Sequence, residues 1–151
     1  MRDKTVITIA SGLGLGYSPF APGTAGTLLG LPLAYLFAGT GLYWYAALTL
    51  LVFAAGVWAA GRAEVIYGQK DSGRIVIDEV AGMLVTMYTL PVTPFYLVVG
   101  FFLFRFFDIL KPFPARRIDQ RMGGGLGVML DDVAAAVYAN LCLQAVRAYS
   151  G

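Results

Sequence analysis

Five of the nine acidic residues fall into three tight groupings: Asp78 with Glu79, Asp108 three residues before Lys111, and Asp131 with Asp132. Each grouping borders a long apolar run. Neighbouring carboxylates repel each other when ionised, and a divalent cation relieves that repulsion while making use of it. Oxygen-only ligands suit magnesium, manganese or calcium. Placed singly at the centre of a bilayer, five carboxylates would cost on the order of 15 kcal/mol, as much as the whole stability of a small domain. They must therefore face water, pair with Arg74, Arg105 or Lys111, or bind a cation. Helix capping alone accounts for a pair such as Asp131 and Asp132, because carboxylates in a first turn accept orphan amide hydrogens. Three such groupings with basic neighbours favour a site.

Absences narrow the chemistry. The chain has no histidine, so a phosphoenzyme on imidazole is excluded. Cys142 and Arg147 are separated by four residues, not the five of a cysteine-phosphatase loop, and no glycine loop ends in Gly-Lys-Ser/Thr. Nor is there an Asp-x-Asp pair to supply an aspartyl nucleophile. What remains is metal-assisted attack by water, with carboxylates holding the ion and a cation near the leaving group.

The elements that must hold these residues are apolar. Of 151 residues, 58% are hydrophobic and 13% charged, which ordinary soluble composition does not reach. No charge occurs in residues 5–61, 80–104 or 133–146. Such gaps read as membrane-embedded segments. Residues 12–26 are rich in glycine and proline and read as an ordered loop before an apolar helix over 27–38. Gly39, Thr40 and Gly41 then turn the chain into a second helix over 42–61. Beyond a charged island at 62–79, apolar runs at 80–90 and 95–107 flank Pro91 and Pro94, giving two helices or one kinked helix. A basic island at 111–121 leads through GGGLG to a last helix over 131–149. The expectation is a single all-α domain over 1–151, a multihelical bundle of short, membrane-embedded apolar helices with glycine- and proline-rich loops. Several runs are nearer 12 residues than the roughly 20 of a full span, and periodicity does not separate them from a buried soluble bundle.

The basic islands should share the cytoplasmic side, which needs an even number of crossings between them. The hairpins near Gly39 and Pro91 supply the returns. No secretory signal is evident, because the apolar run after Lys4 ends at Ala10. The lone Cys142 gives neither a disulfide framework nor a metal cluster. A net charge of +2 without a basic, aromatic-laced stripe sets nucleic acid aside as a partner.

Four blocks resemble the phosphatidylglycerophosphatase A family: GLGYSPFAPGTAGTL at 14–28, SGRIVIDEVAGM at 72–83, FRFFDILKPFP at 104–114 and GGLGVMLDDVAA at 124–135. The similarity spans nearly the whole chain. It implies a helical, magnesium-dependent enzyme that removes the terminal phosphate of phosphatidylglycerophosphate to give phosphatidylglycerol. It also implies Asp78, Glu79, Asp108, Asp131 and Asp132 as metal ligands or water activators, with Asp78, Asp108, Asp132 and Lys111 carrying the chemistry. Pro22, Gly23 and Thr24 open a helix whose amides and the Thr24 and Thr27 hydroxyls could receive phosphate, or which is an ordinary helix start. Lys111 and Arg105 would neutralise the phosphomonoester, while Arg116, Arg117 and Arg121 read as a headgroup anchor with Asp119 their counter-charge. Asp71 belongs to a loop beside the second block. Ala136, Asn140 and Gln144 continue the four-residue spacing from Asp132, which reads as helix packing, as does Gly82.

The combined expectation is a lipid phosphatase of the bacterial inner membrane, multi-pass, with a phospholipid substrate, Mg2+ as cofactor and a cytoplasmic active face. A cation-path transporter component and a metal-dependent phosphatidyl transferase are the rival readings. The oligomeric state and the number of metal ions stay open.

Overall fold

A computed structural model describes residues 2–150 as seven α-helices and one 3-10 turn, with no strand among the described residues. The all-α expectation holds. The helices are α1 (Arg2–Ala10), α2 (Pro22–Ala38), α3 (Leu42–Tyr67), α4 (Ile77–Thr86), α5 (Pro94–Leu110), α6 (Ala115–Arg121) and α7 (Gly124–Ser150). Proline sits in the first turn of both α2 and α5, where its missing amide hydrogen has no helical partner to lose. Gly68 closes α3 in the left-handed conformation that ends many helices.

Several boundaries differ from the sequence reading. The N-terminal residues form α1 although their apolar run is short, because Val6 and Ala10 bury against the bundle. Residues 80–107 form two helices, not one kinked helix, with Pro91 between them and Pro94 opening the second. The charged island at 111–121 contains α6. Most consequential, α7 begins at Gly124, so Asp131 and Asp132 lie well inside the helix. They cap nothing. Gly125 and Gly127 are helical and buried there, since tertiary packing overrides their weak intrinsic preference.

The short α4 is the hub, packed against α2 on one side and α7 on the other. Eight of its ten residues are buried, Asp78 among them. Its end carbonyls have no helical partners, and α7 satisfies them. The Asn140 amide donates to Thr86 O at 3.0 Å and Tyr88 O at 2.9 Å, Gln144 to Thr89 Oγ1 at 2.6 Å, and Arg147 to Thr89 O at 2.7 Å. The polar stripe of α7 is thus helix packing, as its spacing suggested. Gly82 likewise lets α5 approach: an added Cβ would overlap the Phe104 ring. At Gly125 a Cβ would strike the Val57 carbonyl, so α7 and α3 touch backbone to backbone.

Two helices are long and apolar enough to cross a membrane, α3 with mean hydropathy 1.7 and α7 with 1.5. A buried core helix would hide its apolar surface. Instead α3 exposes Leu42, Tyr43, Trp44, Leu50, Leu51 and Trp58, and α5 exposes Val98, Phe102 and Phe106 at four-residue intervals. At about 1.5 Å per residue, a 26-residue helix exceeds the roughly 30 Å hydrocarbon core. Outward-facing apolar surface on this scale suits lipid and not water, and the protein is membrane-associated.

Replacing Gly125 by Val should force α3 and α7 apart and destabilise the fold by about 1–3 kcal/mol, the range for overpacking. Thermal unfolding in detergent micelles would read the loss. Leu141→Ala, on the exposed face of the same helix, should leave the midpoint nearly unchanged.

Candidate metal centre and active site

Five chain segments meet at one end of the bundle. The chain enters α4 through Val76, which donates its amide to Ala10 O at 2.8 Å, and the first turn of α4 carries Asp78 and Glu79. The last turn of α5 presents Arg105 and Asp108, three residues apart and so on one face. Lys111 then ends that helix in the left-handed conformation, with φ 51°. The second and third turns of α7 bring Asp131 and Asp132. Pro22 and Gly23 open α2 beside them, and the 68–76 loop adds Asp71, whose amide donates to Glu64 Oε1 at 2.8 Å.

These residues line a cavity of about 340 Å³. Arg105 donates to Asp108 Oδ2 at 2.5 Å and stands 3.9 Å from Glu79 Oε1. Lys111 donates to Asp131 Oδ2 at 2.9 Å, with Asp119 of α6 at 3.9 Å. Two cations thus face five inner carboxylates. Asp78, Asp131 and Asp132 are 5%, 4% and 2% exposed. Asp78 Oδ1, Glu79 Oε2, Asp131 Oδ1 and Asp132 Oδ2 are buried without any hydrogen-bond donor. An unsatisfied buried carboxylate oxygen is strongly disfavoured.

The carboxylates form overlapping triads, each with ligand atoms within 4.8 Å of one another: Asp78, Asp131 and Asp132; Glu79, Asp108 and Asp132; and Asp71, Asp119 and Asp131. All donors are carboxylate oxygens, so the set fits a hard divalent ion of the magnesium class. Burial, and after it the charge of Asp132, pushes Glu79 up to about 8. Burial followed by the charge of Glu79 raises Asp78 well above the usual carboxylate range. Burial, then Asp131 and Asp119, raises Asp71 to about 6.

Asp78, Glu79, Asp108, Asp131, Asp132, Arg105 and Lys111, singled out from the sequence, all line this one cavity. The two threonines do not. Thr27 is fully buried and donates its hydroxyl to Gly23 O at 2.9 Å, so it has no hydrogen left for a phosphate. Thr24 is absent from the lining, which α2 reaches through Pro22 and Gly23. Gly23 fits because it has no side chain: a Cβ would come within 3.0 Å of Glu79 Oε1 and 3.2 Å of Arg105 Nη1. Asp71 and Asp119, read from the sequence as loop and counter-charge, reach the site as well. Their signal was membership of the same charged islands. Arg116, Arg117 and Arg121 stay exposed on α6, away from the carboxylates.

Arg105 and Ile109 belong to a second surface too, an apolar groove along α5 lined by Val98, Phe102, Leu103 and Phe106. Charged cavity and lipid-facing groove therefore share Arg105 and Ile109 as a common wall.

The sequence model of phosphatidylglycerophosphatase A matches residues 8–147. The chain belongs to the phosphatidylglycerophosphatase A family. It is 38% identical to phosphatidylglycerophosphatase A of Haemophilus influenzae, over 92% of this chain and 86% of that protein. The Escherichia coli phosphatidylglycerophosphatase A is 37% identical, over 85% and 76%. A Bacteroides thetaiotaomicron protein named "Putative phosphatidylinositol-3-phosphatase" is 41% identical, over 93% and 92%. No solved structure gives a significant match. The family match encloses all four sequence blocks and, with them, every carboxylate of the cavity.

Without a bound cation, the folded protein holds protons on Asp71, Asp78 and Glu79 that the unfolded chain releases above its ordinary carboxylate values of 3.8 to 4.5. Raised folded-state pKa values make stability fall as pH rises. The thermal midpoint of chelator-treated protein in detergent should therefore decline between pH 5 and pH 8. Glu79→Gln should flatten the upper part of that slope, and a flat wild-type profile would contradict the assignment.

Proposed function

We propose that this chain is a magnesium-dependent lipid phosphatase that hydrolyses the terminal phosphomonoester of phosphatidylglycerophosphate to phosphatidylglycerol and phosphate. It crosses the bacterial inner membrane several times, with the carboxylate cavity on the cytoplasmic side. The observation that carries the reading is the set of buried, donorless carboxylate oxygens beside Arg105 and Lys111, in a cavity that shares Arg105 and Ile109 with a lipid-facing groove. The names of all three relatives denote phosphatases of phospholipid headgroups. Family membership favours this over a transporter component or a phosphatidyl transferase.

Asp78, Glu79, Asp108, Asp131 and Asp132 would hold the magnesium. When bound, the ion supplies charge stabilisation at a phosphoryl oxygen and a lowered pKa for a nearby water. The chain's own groups do the rest. The attacking water passes its proton to a carboxylate oxygen of Asp78 or Asp132, two of the four acids with a buried oxygen that has no donor. Its oxygen bonds to phosphorus as the bond from phosphorus to the headgroup oxygen breaks; that oxygen takes a proton from solvent and leaves as an alcohol, and the carboxyl group returns the water's proton to solvent. Lys111 uses one donor on Asp131 and keeps two for the phosphoryl oxygens. Arg105, fixed by Asp108, faces the same space from the α5 side and meets the charge of the phosphate as the lipid enters along the groove.

The polarity of the bundle supports the orientation. The α2–α3 and α4–α5 turns lie at the end opposite the cavity, so the basic islands at 62–74 and 105–121 share the cavity end.

Purified protein in detergent should release phosphate from phosphatidylglycerophosphate with Mg2+ and lose that activity to chelator. Asp78→Asn, Asp108→Asn and Asp132→Asn should each lower the rate about 100-fold or more, the scale of lost acid–base or electrostatic groups. Near-normal rates in all three would remove the site assignment. Preference for phosphatidylinositol 3-phosphate would move the headgroup assignment while keeping the chemistry. Cation flux in liposomes without phosphate release would favour the transporter reading.

A further inference from the structure

The carboxylates are too many, and too evenly divided, for one ion. Asp78, Asp131 and Asp132 form one triad and Glu79, Asp108 and Asp132 another, each spanning no more than 4.8 Å between ligand atoms. Asp132, 2% exposed, is the member common to both. Each triad also contains its own donorless oxygens, Asp78 Oδ1 and Asp131 Oδ1 in the first and Glu79 Oε2 in the second. Asp132 Oδ2 is donorless as well. The buried oxygens of each triad thus call for a partner that the other triad's partner does not supply.

Charge points the same way. The five inner carboxylates face only Arg105 and Lys111, which leaves three negative charges in excess. With all five carboxylates ionised, one divalent ion would leave the cavity negative and repel a phosphomonoester that carries close to two negative charges at neutral pH. Two ions would offset the charge of these five. Asp71 and Asp119 form a third triad with Asp131 at the more exposed edge of the cavity.

Resting on the magnesium reading above, we infer that the site is binuclear, with Asp132 bridging an ion held by Asp78 and Asp131 and a second held by Glu79 and Asp108. Arrangements of this kind place two ions about 3.5–4 Å apart, close enough for both to contact one phosphoryl group. The division of labour among the carboxylates follows: Asp78 and Asp131 serve one ion only, Glu79 and Asp108 the other, and Asp132 both.

Manganese is the probe, because its spin reports on a neighbour without any turnover. Full-length protein in detergent, stripped with chelator and dialysed against Mn2+, should bind two ions per chain and give an exchange-coupled paramagnetic resonance spectrum. Asp78→Asn and Glu79→Gln should each bind one ion with the isolated six-line signal, and Asp132→Asn should lose the coupling altogether. Helical circular dichroism and elution volume identify variants that remain folded, and the wild-type measurement stands even if one of them does not. A single bound ion in the wild type, or two uncoupled ones, would overturn the bridged pair while leaving a metal-dependent phosphatase intact. No bound manganese would overturn the metal reading itself. Two coupled ions surviving in both Asp78→Asn and Glu79→Gln would overturn the division between triads.

Discussion

Like charges packed into a site screened from water repel one another strongly, and the rest of this molecule is arranged around that fact. Asp78, Asp131 and Asp132 are nearly inaccessible, and Glu79 and Asp108 are only slightly less so. In the absence of counter-charge such groups take up protons, which is why Glu79 sits near 8. Arg105 and Lys111 offset part of the repulsion, each held directly by one of the acids. The remainder must be balanced by protons or by cations, and any metal bound in such a cavity would compete with hydrogen ions. A stable apolar core would not be built this way, since replacing buried ionic groups by well-packed apolar ones is often stabilising.

Holding five carboxylates in register requires close, rigid helix contacts where lipid supplies little hydrophobic drive for association. Small residues meet that need. Gly82 seats the Phe104 ring, and that contact joins the helix bearing Asp78 and Glu79 to the helix bearing Arg105 and Asp108. Gly125 rests on the Val57 carbonyl and fixes the start of α7, two turns before Asp131. At the other end of α4, Asn140 occupies carbonyls that a ten-residue helix leaves open, so the C-terminal end of the hub is tied to α7. The outer faces of α3 and α5 keep their apolar side chains for the bilayer, and the interior contacts are made largely by alanine, glycine and methionine.

Much of this was legible in the sequence because charge is so sparse. With 13% charged residues, any clustered acids stand out, and the absence of histidine removes whole chemistries at once. The Gly39 and Pro91 turns were readable because glycine and proline act locally. The start of α7 was not, because its glycines are helical only through their contact with α3, and so Asp131 and Asp132 read as possible caps. Thr27 failed for a related reason: a hydroxyl in the second turn of a helix can donate backwards to the carbonyl four residues earlier, and nothing in its residue type says whether it does. Asp71 and Asp119 were undervalued because a loop and a short helix show no periodicity that would aim them.

What the sequence determined by itself was the inventory: apolar helices, their turns, the segregation of charge into islands, and the residue types able to hold a hard cation. Those follow from local chemistry and from the incompatibility of charge with hydrocarbon. Only the tertiary structure decided that residues as distant as Asp78, Asp108 and Asp132 share one cavity, and that Asp132 belongs to two triads at once. It also decided which apolar faces turn outward, since hydrophobic pattern is the same for a buried helix and a lipid-facing one. Convergence depends on how helices cross and how closely their backbones approach, and no spacing along the chain encodes a distance between segments that meet only when packed.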